Sequence, residues 1–230
     1  VLDQFTGRGS GMVFNITECV DFHHGKRIVI TILVCGHDVV IIMHKEGDAL
    51  LIQQPVYYPF REVIEDNGRI FVNNQLHYED GKYTIDFEDF EKKIVDNNVK
   101  VFILCNPHNP VGRVWTKEEL EKMGDICLKH NVVIMDDEIH CDFTYPGFKF
   151  TSFLTLDKKY HNSLVLYTSP SKTFNVAGLQ PANIIIKNQE LRAAYRKANV
   201  AAGYSQGSIM GQVAVKSVYT KGDEWVNELV

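Results

Sequence analysis

The sequence predicts an α/β protein: a mostly parallel sheet with helices on both faces. Three observations predict it. Short, continuously apolar runs recur at residues 101–104, 132–135 and 164–167, each bounded by turn residues, as strands buried on both faces are. Segments of helical period lie between such runs, so strand, loop and helix alternate along the chain. Polar residues with chemical potential follow the runs directly, at the strand ends where open α/β sheets bind ligands.

Taken in order, Gly7, Gly9 and Gly11 mark residues 1–26 as loop, with His23-His24-Gly25-Lys26 as a turn. The His pair has no acidic or cysteine partner at ligand spacing, so no metal site is assigned. The β-branched residues of 27–34 predict a strand, and 38–44 a short buried helix ended by Gly47. Residues 49–53 form a strand that leads into Pro55-Val56-Tyr57-Tyr58-Pro59-Phe60, an aromatic loop bracketed by prolines. A helix over 61–67, a strand over 69–72 and a hairpin-like turn over 78–83 follow. Asp86 can cap a helix whose core face is Phe87, Phe90 and Ile94.

After the strand at 101–104, two Asn-Pro steps and Gly112 predict a rigid, non-helical loop over 106–113. Thr116-Lys117-Glu118-Glu119 is a capping box. Its helix runs to about Lys129 with Leu120, Met123, Ile126 and Cys127 inward. The strand at 132–135 delivers Asp136-Asp137-Glu138-Ile139-His140, and the strand at 164–167 delivers Ser169-Pro170-Ser171-Lys172-Thr173-Phe174-Asn175. One more strand is expected at 182–186, and helices at 190–201 and 208–220. Trp225, Val226, Leu229 and Val230 carry the pattern of a helix that is unfinished at Val230.

Bulk properties narrow the function. The chain has 230 residues, 45% apolar and 23% charged, an ordinary globular composition. A net charge of −5 argues against nucleic acid as partner. No apolar run has the length to span a bilayer. Cys19, Cys35, Cys105, Cys127 and Cys141 are odd in number and show no paired short spacing, which predicts reduced thiols and a cytoplasmic location. Asn15-Ile16-Thr17 matches a glycosylation sequon by chance, there being no secretory signal pattern.

An Asn, an Asp and a Lys gathered at one sheet edge suit an aromatic aldehyde cofactor. A half-desolvated lysine can form a Schiff base. An acid can pair with a ring nitrogen and keep it protonated, so that the ring accepts electrons. An amide and an imidazole can bond a ring oxygen, serine hydroxyls can donate to a phosphate, and an aromatic side chain can lie flat on the ring. Each residue also has a plainer role open to it: Asp136 or Asp137 as a cap, His140 as a core histidine, the rings of 57–60 as packing.

The motifs PVYYPF (55–60), NPHNPVGR (106–113), DEIH (137–140) and SKTFN (171–175) together resemble the fold-type I pyridoxal-phosphate enzymes, the aspartate aminotransferase superfamily. Within it they look most like the cystathionine β-lyase, or C–S lyase, branch. The resemblance runs from about Glu46 onward. It implies that Lys172 is the catalytic lysine and carries pyridoxal 5′-phosphate, that Asp137 rather than Asp136 faces the pyridine nitrogen, and that Asn109 bonds the ring oxygen. It implies Tyr57 stacked on the ring, His140 at a position where relatives place a tyrosine near that oxygen, and Ser169, with Ser171 as the weaker candidate, on the phosphate. It also implies small amino-acid substrates and a homodimer.

By that resemblance residues 1–45 are a poorly matching N-terminal part of the large domain, 46–205 the cofactor-binding large domain, and 206–230 the start of a small C-terminal domain that is mostly missing. The Gly-containing turn that cups the phosphate should fall near Thr31, and no such turn is written there. Gln180 stands where the family often has an arginine. The expected activity is β-elimination from cystathionine or cysteine S-conjugates to pyruvate, ammonia and a thiol. Amino transfer uses the same residues and stays open, as does a truncated chain that binds cofactor and catalyses nothing.

Overall fold

The computed structural model describes residues 14–15, 46–201 and 208–230. The predicted strand at 27–34, helix at 38–44, His23-His24 turn and the position near Thr31 lie outside the described residues.

Among the described residues nine strands form two sheets. The main sheet contains β1 (Phe14–Asn15), β2 (Ala49–Ile52), β3 (Ile70–Asn73), β6 (Val99–Cys105), β7 (Val133–Asp137), β8 (Leu164–Thr168) and β9 (Asn183–Ile186). Their order is β1-β9-β8-β7-β6-β2-β3. The run from β3 to β8 is parallel, whereas β9 pairs antiparallel with β8 and with β1. The expected "mostly parallel" sheet is therefore parallel in its centre and antiparallel at one edge. Strands β4 (His77–Glu79) and β5 (Lys82–Thr84) make the separate hairpin. Its turn uses Asp80 and Gly81, both at positive φ, the geometry that matches strand twist in a two-residue loop.

Side chains on successive strand residues point to opposite faces, and each face carries its own helices. On one face Leu50, Ile103, Met135, Val165 and Ile184 pack with Phe60 and Ile64 of α1 (Pro59–Asp66) and Tyr195 of α4 (Gln189–Ala201). On the other, Leu51, Phe102, Ile134 and Leu166 pack with Phe90 and Ile94 of α2 (Phe87–Asp96) and with Leu120, Met123 and Cys127 of α3 (Lys117–Lys129). Helix α1 starts two residues earlier than expected, because a proline fits the first turn, where its missing N–H has no partner to lose. Both predicted caps form. Asp86 accepts from the Glu88 and Asp89 amides, and Thr116 with Glu119 closes a reciprocal capping box. Ser208 caps α5 (Ile209–Lys221), and α6 (Asp223–Leu229) follows at once.

The chain leaves β2 in one direction toward β3 and later enters β6 on the other side of β2. That reversal makes the carboxyl ends of β2 and β6 a topological switch point, the kind of place where doubly wound sheets take ligands. The loops after β2, β6, β7 and β8 all emerge at this edge.

Candidate active site

The site is built from the last residues of three neighbouring strands. Cys105, Asp137 and Tyr167 are register partners across β6, β7 and β8, so their side chains share the face that carries α1. Asp137 is 5% exposed and accepts the Ile139 amide at 3.1 Å. Burial pushes its carboxyl up to about 7, and the nearby Lys172 ammonium offsets only part of that. An acid so placed is under-neutralised and suits a further cationic N–H.

Lys172 sits in a single helical turn after β8. The Phe174 amide donates to Pro170 O at 3.0 Å and the Val176 amide to Ser171 O at 3.1 Å. Asn175 ends the turn at φ 52, a left-handed conformation that Asn tolerates better than most residues. The Lys172 side chain is exposed, not half-buried as expected. Its charge reaches two groups of the site, Asp137 and His140. His140 is partly buried, and burial first, then the Lys172 charge, holds its imidazole below the usual range and thus neutral. Tyr57 is half-buried with its ring edge-on to Phe60 at 5.8 Å. Burial first, then the charges of Tyr58, Asp137 and Glu62, keeps its phenol protonated. Electrostatic interactions thus link Asp137 to Tyr57 and to Lys172, and Lys172 to His140.

Asn109 joins through its backbone. Its amide donates at 3.4 Å to the Sγ of Cys105, the strand partner of Asp137. The two serines behave differently from expectation. Ser169 and Ser171 are buried, and both hydroxyls point at Pro181 O. They also lie 2.8 Å from each other, and the Ser171 amide donates to Ser169 Oγ at 3.0 Å. In this arrangement their protons have internal acceptors and do not face outward toward a phosphate.

The residues that the motifs did not single out are the ones that hold the loops. His108 is buried, and its Nε2–H donates to Pro55 O at 3.0 Å, tying the Asn109 loop to the Tyr57 loop. Burial lowers its pKa to about 4, so it stays neutral and its ring edge packs on Trp115. Trp115 Nε1 in turn donates to Cys105 O at 3.0 Å. A lone His between two Asn-Pro steps was the available signal. Its partner carbonyl lies 53 residues earlier, beyond any spacing argument.

Asp136 and Glu138 point to the opposite face and are fully buried. Burial raises both carboxyls, and the Glu138 charge raises Asp136 further. Glu138 Oε1 accepts the Phe153 amide at 2.9 Å. Among the described residues no group of His, Cys, Asp and Glu could hold a metal ion.

The family model for aminotransferase class I and II matches residues 34–230. The chain belongs to this family. Cystathionine beta-lyase PatB of Bacillus subtilis is 44% identical over 184 residues, 80% of this chain and 48% of that protein. A probable kynurenine–oxoglutarate transaminase of Saccharomyces cerevisiae is 31% identical, over 75% of this chain and 40% of its own length. Among solved structures, cystalysin from Treponema denticola, which contains pyridoxal 5′-phosphate, superposes with a TM-score of 0.86 at 36% identity. That match covers 94% of this chain and 52% of cystalysin. The chain spans about half the length of the curated relatives it matches.

Proposed function

We propose that this chain is the cofactor-bearing part of a pyridoxal-phosphate-dependent C–S β-lyase that acts on cystathionine or cysteine S-conjugates. The observation that carries the reading is a buried, under-neutralised Asp137 at a sheet edge, in electrostatic interaction with the exposed Lys172 and with Tyr57, Lys172 in turn interacting with His140. The 44% identity to a cystathionine beta-lyase supports the reaction type. These residues fit the cofactor: an acid for a ring nitrogen, an amine for an aldehyde, an aromatic ring for a flat face. Bound pyridoxal phosphate would supply an aldehyde that captures amino groups and a ring that withdraws electrons from the α-carbon.

The protein's part follows from its own groups. Asp137, once paired with a cationic N–H, drops toward the ionised state and keeps that proton in place. Lys172, exposed and tethered to a fixed turn, is positioned to take a proton from a substrate α-carbon as general base. Neutral His140 can donate one hydrogen bond, and the protonated Tyr57 presents its ring without adding charge. Asn109 would bond the ring oxygen. Ser169 and Ser171 would serve the phosphate only if their hydroxyls turned away from Pro181 O. We assign the working enzyme to a cytoplasmic homodimer. Cys105, Cys127 and Cys141 are free thiols, and among the described residues no helix is long and apolar enough to cross a membrane.

Addition of pyridoxal phosphate is expected to give a long-wavelength absorbance band that Lys172→Ala abolishes; a band unchanged in the variant removes Lys172 from its role. Cystathionine yielding pyruvate and a thiol supports the lyase. Amino transfer to a keto acid supports the second reading, which the 31% identity to a transaminase favours. A band with neither activity leaves the third reading, a cofactor-binding fragment.

A further inference from the structure

Thr173, the residue after Lys172, is 1% exposed and held from two sides. Its Oγ1–H donates to Asp142 Oδ2 at 2.8 Å. Its carbonyl accepts from Trp225 Nε1, also at 2.8 Å, across 52 residues of chain. Asp142 lies two residues past His140, in the short turn Cys141–Phe143. Trp225 belongs to α6, outside the sheet and its two helical layers.

Other contacts fasten the same segment to the C-terminal helices. The Phe174 ring meets Tyr219 of α5 edge-on at 6.4 Å. Gly222, between α5 and α6, approaches Phe174 so closely that a Cβ there would lie 2.3 Å from Phe174 Cε1. Asn183 Nδ2 donates to Tyr219 Oη and lies equally near Thr168 Oγ1, at 3.3 Å each, so the end of β8 is gripped as well.

A single helical turn has no stability of its own, since nucleation costs more than one turn returns. The orientation of the turn that carries Lys172 must therefore come from what holds its neighbours. The Lys172 side chain is long, so a small rotation of the Thr173 peptide is magnified at Nζ. Misplacing a reacting group by about 1 Å can cost about 100-fold.

We propose that Trp225 and Asp142 are positioning residues: they clamp Thr173 from opposite sides and so aim Lys172, which makes α6 part of the site without touching its ligand. The role assigned to Lys172 rests on the function proposed above; the clamp itself is a property of the protein without ligand.

The test uses four variants. Trp225→Phe keeps an aromatic ring and removes the N–H. Thr173→Val removes the hydroxyl at nearly constant shape. Asp142→Asn removes the charge that accepts that hydroxyl. Thr173→Ser restores a hydroxyl and serves as rescue. Far-UV circular dichroism establishes that each folds, and Thr173→Val carries the test if Trp225→Phe does not. Titrated with pyridoxal phosphate, Trp225→Phe and Thr173→Val should each bind about tenfold more weakly or worse, Asp142→Asn by a smaller factor, and the pH midpoint of the absorbance band should move. Thr173→Ser should stay within about threefold of the parent. Parent-like affinity and midpoint in both Trp225→Phe and Thr173→Val overturn the clamp. If the parent chain shows no Lys172-dependent band, the functional reading falls, and the clamp is tested separately. Acetic anhydride labelling of Lys172, read by mass spectrometry against Lys82 on the remote hairpin, should then change in Trp225→Phe; an unchanged ratio overturns it.

Discussion

The two faces of β7 carry the same chemistry to different ends. Asp136 and Glu138 point toward the layer of α2 and α3, where they are fully buried and face each other. Asp137, between them in sequence, points to the opposite face and interacts electrostatically with Lys172 and Tyr57. All three carboxyls are raised by burial. Only Asp137 has an amine within reach and an exposed approach beside it. A buried acid is therefore not in itself a mark of a site; a buried acid opposite an accessible cation is.

The difference between the two faces is expected to be largest in the pH dependence of stability. The folded pKa of Asp137, about 7, lies above its ordinary 3.8. Between those values the folded chain holds a proton that the unfolded chain has released, so this group's contribution falls as pH rises through the window. Asp137→Asn should gain stability over the parent between pH 4 and 7, by up to about 1.4 kcal/mol per unit. Urea unfolding across that range measures it, and a constant difference would mean that Asp137 titrates normally. Ligand affinity should also separate the two faces. Asp137→Ala should weaken pyridoxal-phosphate binding by about 100-fold, the scale of losing a charge-assisted hydrogen bond. Asp136→Ala should change it by less than about threefold, since it acts from the closed face. Equal losses would erase the distinction between the faces.

Smaller effects are expected on the closed side. Gly124 on α3 lets the helix lie against two rings: a Cβ there would come 2.6 Å from Tyr160 and 2.9 Å from Phe153. Gly124→Ala should cost about 1–3 kcal/mol in thermal or urea unfolding, despite alanine's better helix propensity. Thr116→Ala, which opens the capping box of the same helix, should cost about 1 kcal/mol. Neither should alter ligand affinity in the folded protein. A loss of affinity in the still-folded Gly124→Ala chain would show that the two faces are not independent.

The elements that were legible in the sequence share a local cause. The apolar runs of β6, β7 and β8, the Asp86 and Thr116 caps and the Asp80-Gly81 turn are each dictated by residues within a few positions of one another. The antiparallel edge was not legible: 183–186 is as apolar as a parallel strand, and direction depends on where the chain returns from. The site divides the same way. Motif wording picked out Tyr57, Asp137, His140 and Lys172, and electrostatic interactions run from Asp137 to Tyr57 and Lys172 and from Lys172 to His140. It could not foresee that Ser169 and Ser171 would turn to Pro181 O, because a serine hydroxyl donates to whichever acceptor the fold brings near.

What the sequence determined by itself was the alternation of strands and helices and the set of polar residues that strand ends would deliver, because periodicity and capping act over one or two turns of chain. Only the tertiary structure decided which acid faces the amine and what holds that amine in place. His108 reaches Pro55 across 53 residues, and Trp225 reaches Thr173 across 52. Contacts of that span follow from how the layers pack, and no local pattern encodes them.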